Sequence, residues 1–295
     1  MSASLTLLTL NCGLLRLGLL GRALLEPAPF IEERLAALPA ALRAVDADVI
    51  ALQEIYRIPH KRRVMAALAD RWPHAAYPAK KPWLKLDCGL LVLSRFPIAA
   101  HAFFPFKAAP GDERRFVHRG FLATDHDVAE LGRVRLLSFH TTAGGLRHDP
   151  EAAFTDAVRG RQIDEIIDYA ERDAATPHVL IGDLNAGHPV SMGNYRQVLE
   201  RGYADLYVEA RGPAAANDVT WDSRQPLNRR GPHAHQRPQR IDHIFLHRRW
   251  LDRIAVADAR IVLTEASVAV AGGARVSVAD HYGVWARLER RADAP

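Results

Sequence analysis

Short apolar runs that meet a polar residue at one end constrain this chain more than any other feature. The polar residues are Asn11 after 7–10, Glu54 after 49–53, His140 after 134–139, Asp183 and Asn185 after 179–182, Asp242 within 240–246, and Asp280 with His281 before the last apolar run. Strands that end at one edge of a sheet bring such side chains to one mouth. The pattern predicts a site where a divalent cation meets a phosphate group.

Helical patterns separate these strands along the chain. The first places apolar residues on one face between 31 and 45, although Pro39 is expected to kink or divide that helix. The second runs near 151–172, and its buried stripe is predicted to be Ile163, Ile166, Ile167 and Ala170. Strands that alternate with helices in this way indicate an α/β fold with buried strands.

The motifs follow one another in an order that resembles a known superfamily. They are Leu-Asn-Cys-Gly-Leu (10–14), Leu-Gln-Glu (52–54), Leu-Ser-Arg-Phe-Pro-Ile (93–98), Ser-Phe-His-Thr (138–141), Gly-Asp-Leu-Asn (182–185), Arg-Ile-Asp-His (240–243) and Ala-Asp-His-Tyr-Gly-Val (279–284). This series resembles the endonuclease/exonuclease/phosphatase superfamily, which includes deoxyribonuclease-like enzymes and neutral sphingomyelinases. The resemblance runs from about residue 5 to residue 288. It implies a four-layer α/β/β/α sandwich of two mixed β-sheets flanked by helices, in one catalytic domain over residues 1–295.

The resemblance also implies a metal site. Mg²⁺ prefers hard oxygen ligands and keeps several waters, so one or two carboxylates are enough to hold it against a phosphate. Glu54 is the best candidate ligand, and Asn11 and Asp280 look similar to the other metal-site residues of the superfamily. Mg²⁺ is the expected cofactor, with Mn²⁺ or another divalent cation as the alternative.

The remaining candidate residues are assigned to water activation and charge stabilisation. His281 is the candidate general base, because imidazole titrates near neutral pH, and Asp242 would fix its tautomer. Asp183 and Asn185 are expected to point into one cleft from an extended backbone, with Asp183 activating the water and Asn185 contacting a phosphate oxygen. His140 would donate a hydrogen bond to the charge that builds on phosphate oxygens.

Composition frames these assignments. The chain has 295 residues, 48% of them hydrophobic, which suits one large domain with a sizeable core. Its formal charge of +5 favours anionic partners, although an arginine-rich solvated surface explains the charge equally well. Two cysteines, Cys12 and Cys88, make a disulfide framework unexpected. The start has no signal-peptide pattern and no spanning length of apolar residues, which predicts a cytoplasmic protein that is peripheral to the membrane at most.

Two substrate classes remain open. Local strings such as 11–14, 161–162, 220–222 and 280–284 look more like neutral sphingomyelinases than nucleases, which favours a phospholipid headgroup at a membrane surface as the substrate. The chain departs from that group because no Trp precedes Gly13, and because Thr-Ala-Gly follows Thr141. A DNA or RNA nuclease is the alternative, with arginines at 224, 229, 230, 237 and 240 following a phosphate backbone. A silent binding module would require a lost catalytic residue, and none is missing.

Three apolar or histidine-rich features complete the expectations. Residues 14–25, rich in leucine with Arg16 and Arg22, are either a segment that enters lipid or a helix packed on the protein. Phe103, Phe104 and Phe106 are either a second apolar rim or core aromatics. The other histidines are expected to be solvated; they include His60, His74, His118, His126, His148, His188 and His247. The stretch 229–235, with His233 and His235, is expected to be a flexible loop, with metal binding by the two histidines as the alternative.

Overall fold

The computed structural model describes residues 4–19, 22–78, 82, 85–129, 131–144, 152–213, 218–231 and 233–291, with no side chains described for 18–24. Its strands are β1 (Ser4–Asn11), β2 (Leu17–Leu19), β3 (Arg22–Leu25), β4 (Val49–Gln53), β5 (His74–Ala76), β6 (Leu91–Ser94), β7 (Ile98–Pro105), β8 (Gly120–Val128), β9 (Gly132–His140), β10 (His178–Asp183), β11 (Tyr203–Asp205), β12 (Asp242–His247), β13 (Ile254–Val262), β14 (Val268–Ala269), β15 (Arg275–Val276) and β16 (Gly283–Arg290). Its helices are α1 (Ile31–Val45), α2 (Ile58–Leu68), α3 (Gly111–Phe116), α4 (Ala153–Glu171), α5 (Met192–Glu200) and α6 (Leu206–Arg211).

Two six-stranded mixed sheets form the centre of the molecule. Their strand orders are β13-β16-β1-β4-β6-β5 and β11-β12-β10-β9-β8-β7. In the first sheet β1 is parallel to β4 and antiparallel to β16, and in the second β10 is parallel to β9 and antiparallel to β12. The ends of parallel strands lie at the same edge of a sheet as the starts of the strands that run antiparallel to them. One edge of each sheet therefore collects the ends of β1, β4, β9 and β10 and the starts of β12 and β16, and we call this the catalytic rim.

Alternation of side chains along each strand builds the four layers. Leu7 packs between the sheets in one cluster with Val179 from the other sheet, whereas Leu8 faces outward with Leu35 of α1. In the second sheet Leu180 faces α4 and α5 instead. Successive strand residues point to opposite faces, so apolar residues at consecutive positions fill both an inner and an outer core. The predicted α/β/β/α sandwich is confirmed.

The two predicted helices are present as α1 and α4. The buried residues of α4 include the predicted Ile163 and Ile167. Helix α1 is one element that contains Pro39, so the expectation of a divided helix is wrong. Proline removes one backbone hydrogen bond, here the bond to the carbonyl of Leu35, and burial of the apolar face against the first sheet compensates for that loss.

Several aromatic and histidine expectations are corrected. Phe104 stacks on Phe121 with ring centroids 5.1 Å apart, and Phe106 is buried in the same cluster, so these rings belong to the outer core and form no rim. His60 and His126 are buried, not solvated. Ser94 and Thr124 contact the two ring nitrogens of His126 at 3.0 and 2.8 Å, which offsets the cost of leaving water. Nδ1 of His60 has no hydrogen-bond partner among the described residues. His148 lies outside the described residues.

Residues 14–25 form a hairpin and no helix. Strands β2 and β3 pair antiparallel as a separate two-stranded sheet, and Leu14 before them is buried in the outer core of the first sheet. The side chains of Leu19, Leu20 and Arg22 lie outside the described residues. Contact of this hairpin with lipid therefore stays a prediction.

Both cysteines are free and buried, which agrees with the absence of a disulfide framework. Across the described ranges, no helix has the length and apolar character that crossing a membrane requires.

Candidate active site

All eight sequence-predicted residues meet at the catalytic rim. Those that line the cleft are Asn11, Glu54, His140, Asp183, Asn185, Asp280 and His281. Asp242 is fully buried and lies behind His281, with its carboxylate against the imidazole. Each residue stands at or next to the end of a strand, so the two sheets together set the spacing of the group.

Asn11 joins the two sheets across the cleft. Its Nδ2 donates to Asp183 Oδ2 at 2.9 Å and lies 3.4 Å from Glu54 Oε1. Its Oδ1 accepts a hydrogen bond from the backbone N–H of Gly13 at 3.1 Å. One lone pair of the amide oxygen remains for another partner. The side chain thus contacts one carboxylate from each sheet.

Glu54 stands just beyond β4 with a positive φ of 59°. The next residue, Ile55, donates its N–H to the carbonyl of Gly89 at 2.9 Å, which fixes this turn. Burial and the nearby charge of Asp280 raise the pKa of Glu54 to about 7, with His281 and Arg119 opposing the shift. A carboxyl group with this shift gains from a positive charge placed beside it.

Asp183 and Asn185 do not share an extended backbone. Asn185 has a positive φ of 50°, and its N–H donates to Asp183 Oδ1 at 2.8 Å, so the two residues form a tight turn. Asn185 Nδ2 also donates to the carbonyl of Thr141 at 3.0 Å. The expected common cleft exists, but a local side-chain turn creates it. Burial and the charge of Asp242 raise the pKa of Asp183 to about 7.

His281 and Asp242 form a hydrogen-bonded pair. Nδ1 of His281 lies 2.9 Å from Asp242 Oδ2, which places the Nδ1 proton toward the carboxylate. Thr220 holds Asp242 by accepting its N–H at 3.1 Å. Burial by itself would lower the pKa of His281, but Asp242, Asp280 and Asp183 together raise it to about 10.

His140 occupies the opposite wall of the cleft. Its Nε2 lies 3.5 Å from Asp183 Oδ2 and 3.9 Å from Glu54 Oε1. Burial and the charges of Arg119 and His281 lower its pKa well below the ordinary value. His140 is therefore neutral near pH 7 and has one ring N–H to donate.

The residues present fit a divalent cation. The carboxylates of Glu54, Asp183 and Asp280 face the same cleft, and Asp280 Oδ1 is buried without a hydrogen-bond partner among the described residues. Asp183, Asp242 and His281 also place one ligand atom each within 4.8 Å of one another. In that second set the Asp242–His281 hydrogen bond already uses two of the three groups. The carboxylates of Glu54 and Asp280 offer the oxygen ligands that Mg²⁺ prefers.

Sequence reasoning missed Arg119 and Tyr56, which both line the cleft. Arg119 precedes β8, forms an ion pair with Glu113 at 3.1 Å, and donates from Nη1 to the carbonyl of His140 at 3.4 Å. The Arg-Gly pair directly before β8 was the available signal. Arg119 is the one lysine or arginine among the described residues that line this cleft.

A buried arginine of α1 holds the segment that follows Asn11. Arg34 donates to the carbonyls of Cys12 at 2.8 Å and Gly13 at 2.7 Å. Gly13 has a φ of 55°, and a Cβ built on it would lie 1.9 Å from Asp280 Oδ1. Only glycine both adopts this conformation at low cost and leaves space for the carboxylate.

Buried cations on the outer helices hold two further rim segments. Lys61 of α2 pairs with Asp87, and Asp87 accepts the N–H of Gly89 at 2.8 Å beside the Glu54 turn. Arg159 of α4 donates to the carbonyl of Thr142 at 3.1 Å, two residues after His140. These charges act on backbone that carries site residues, so they position the site without contacting a substrate.

Comparison with known proteins agrees with this geometry. A family model described as the endonuclease/exonuclease/phosphatase family matches residues 8–260. The chain belongs to this family, and it is a phosphoric ester hydrolase by class. No curated protein matches its sequence.

Solved structures share the fold over nearly the whole chain. Sphingomyelinase C from Streptomyces griseocarneus is 24% identical, with a TM-score of 0.74 and coverage of 96% of this chain and 99% of that one. A mutant beta toxin from Staphylococcus aureus with bound magnesium ions is 17% identical, with a TM-score of 0.77 and coverage of 96% and 99%. Truncated TDP2 from Caenorhabditis elegans is 17% identical, with a TM-score of 0.64 and coverage of 97% of both chains.

Proposed function

We propose that this protein is a Mg²⁺-dependent phosphodiesterase that hydrolyses a phospholipid headgroup ester by in-line attack of an activated water. One observation carries the proposal. The cleft places buried carboxylates with raised pKa values next to a His281–Asp242 pair and opposite His140. Such a site is built for a divalent cation, a water to deprotonate and a phosphate to bind.

Glu54 holds the cation in this proposal, with Asp280 and Asn11 beside it. When bound, Mg²⁺ supplies positive charge that neutralises phosphate oxygens and offsets the carboxylates that raise the pKa of His281. His281 then removes a proton from the attacking water through Nε2, while Asp242 keeps Nδ1 protonated and stabilises the imidazolium. Asp183 accepts a hydrogen bond from the same water and orients it.

The other side of the cleft binds the phosphate group. Neutral His140 donates from its ring, Asn185 donates the amide hydrogen not used by Thr141, and Arg119 offers its guanidinium. Negative charge on the non-bridging oxygens grows as the water attacks. Donors fixed in position by their own hydrogen bonds favour that state because they need no reorganisation.

Two observations support a lipid headgroup over nucleic acid. Sphingomyelinase C is 24% identical with a TM-score of 0.74, whereas TDP2 from Caenorhabditis elegans is 17% identical with a TM-score of 0.64. Of the arginines expected to follow a nucleic-acid backbone, Arg240 is not accessible, because it is buried against Asp205 at 2.7 Å. A nuclease would need this charge free for phosphates.

A screen of purified protein tests the proposal directly. We expect Mg²⁺-dependent release of phosphorylated headgroup from sphingomyelin or lysophospholipid vesicles, and slower hydrolysis of a soluble bis-aryl phosphodiester. Glu54→Gln should keep the fold, measured by circular dichroism, and should shift the Mg²⁺ dependence to higher concentration. Replacing Leu19 and Leu20 by Ser tests the hairpin, and should reduce vesicle hydrolysis while sparing the soluble substrate.

The controls test the metal assignment separately from the choice between a lipid and a nucleic-acid substrate. Glu265→Gln changes an exposed carboxylate outside the described cleft and should leave the Mg²⁺ dependence unchanged. Wild-type Mg²⁺ dependence in Glu54→Gln contradicts the metal assignment. Plasmid cleavage that falls steeply with salt, without lipid hydrolysis, contradicts the lipid assignment and makes the protein a nuclease.

A further inference from the structure

A second cavity lies at the end of the sandwich opposite the catalytic rim. It has a volume of about 450 Å³ and is bordered by Gly132 at the start of β9, Pro177 before β10 and Arg290 at the end of β16. Strand β9 runs from this cavity to His140, and its nine residues span about 26 Å at roughly 3.3 Å per residue. The cavity is therefore separate from the active site.

Three arginines line this cavity: Arg133, Arg253 and Arg290. Arg133 pairs with Asp127 at 2.9 Å, and both side chains are about half exposed. No carboxylate of the described residues forms an ion pair with Arg253 or Arg290. Such exposed pairs contribute little, so all three guanidinium groups are able to turn to an anion.

The floor of the cavity is apolar and carries an unpaired donor. Trp250 and Ile254 are 8% and 4% exposed and both line the cavity. Nε1 of Trp250 is buried and has no hydrogen-bond partner among the described residues. An indole N–H only donates, and buried polar groups in native proteins nearly always find a partner. Because this atom is buried from solvent, Trp250 contributes the apolar surface of its ring to the cavity.

We propose that this cavity binds a small soluble organic phosphate of nucleotide size. Guanidinium groups recognise phosphate oxygens, and the apolar floor accommodates a non-polar part of the ligand. The volume falls in the range of small-molecule pockets. A bilayer that contacts the catalytic rim does not reach this end, so the ligand is a dissolved molecule rather than a membrane headgroup.

Isothermal titration calorimetry with AMP and with inorganic phosphate tests the proposal. The titrations are done in EDTA, which leaves the active site without a divalent cation. We expect AMP to bind at least tenfold more tightly than phosphate. The double variant Arg253→Gln/Arg290→Gln should weaken AMP binding at least tenfold, because it removes two of the three guanidinium groups.

Two controls make the result specific. Arg287→Gln changes an arginine of the same strand that pairs with Glu289 at 3.2 Å and does not line the cavity, so AMP binding should be unchanged. His140→Ala alters the active site and should also leave AMP binding unchanged. The double arginine variant should hydrolyse the bis-aryl phosphodiester at the wild-type rate, which shows that it folds.

Three outcomes would overturn the proposal. If AMP binds no more tightly than inorganic phosphate, the cavity does not bind the organic part of the ligand. AMP binding lost in His140→Ala, or kept in the double arginine variant, places the ligand elsewhere. Absence of AMP binding at millimolar concentration leaves the arginines as a solvated surface.

Discussion

Gly13→Ala is the most direct test of how backbone geometry sets the active site. The added Cβ would lie 1.9 Å from Asp280 Oδ1, whereas ordinary van der Waals contacts begin near 3.4 Å. Either the carboxylate or the backbone must therefore move by about 1.5 Å, the difference between these distances. Misplacement of a site group by about 1 Å costs on the order of 100-fold in rate. We expect kcat/KM to fall about 100-fold or more.

The stability cost of the same substitution should be small. A non-glycine residue in the left-handed region costs about 1–2 kcal/mol, which lowers the melting temperature of a chain of this size by a few degrees. Gly272→Ala is the matched control, because Gly272 also has a left-handed backbone, with φ 80° and ψ 11°, but a Cβ there meets nothing within 4 Å. The two variants should lose similar stability, and only Gly13→Ala should lose activity.

The assay is hydrolysis of the soluble bis-aryl phosphodiester over a range of Mg²⁺ concentrations, together with thermal unfolding. Displacement of Asp280 predicts a weaker apparent Mg²⁺ affinity as well as a slower rate. A Gly13→Ala variant with wild-type kcat/KM would refute the argument, since it would show that the position of Asp280 does not matter. Equal activity losses in both glycine variants would attribute the effect to backbone strain alone.

Three further predictions follow from buried charges. His281→Ala should slow hydrolysis by roughly two to four orders of magnitude, and adding Asp242→Asn should slow it little further, because the carboxylate acts through the imidazole; multiplicative losses would mean separate roles. Lys61→Met should destabilise the protein by about 3–5 kcal/mol, measured by urea unfolding, because it leaves the buried Asp87 carboxylate unpaired. A double variant with Asp87→Asn should recover part of that loss. No recovery would contradict the ion-pair argument. Burial lowers the pKa of His126 to about 4, so between pH 4 and 6.5 the unfolded chain binds a proton at this imidazole that the folded chain does not. The stability advantage of wild type over His126→Gln should therefore shrink by about 2 kcal/mol from pH 7.5 to pH 5. A constant difference would exclude a buried neutral imidazole.

The sequence predicted those parts of the fold that local patterns determine. Each strand run carries its own alternation of inner and outer residues, and a polar residue at a strand end needs no distant information to be recognised. Asn11, Glu54 and Asp183 were found in this way, and the order of the motifs indicated the four layers. Residues whose role depends on a distant segment were missed, as Arg119 and Lys61 illustrate.

Expectations also failed where a short-range preference met tertiary packing. Pro39 lies inside an intact helix because the buried face of α1 outweighs one missing hydrogen bond. The extended backbone expected at Asn185 is a turn, since the Asp183 carboxylate accepts the N–H two residues later. For Phe104 and Phe106 the sequence left an apolar rim and a core position open, and the packing against α4 decides for the core.

The hydrogen bond between Asn11 and Asp183 joins a strand of one sheet to a strand of the other, at a distance of 2.9 Å. No loop adjusts this distance, so the alignment of the two sheets alone determines it. Any slippage between the sheets, caused by pressure, by heat or by a substitution at Leu7 or Val179 in their shared core, would open the cleft before either sheet lost its own backbone pairing. Loss of turnover should then be an early sign of sheet separation, ahead of the change in circular dichroism.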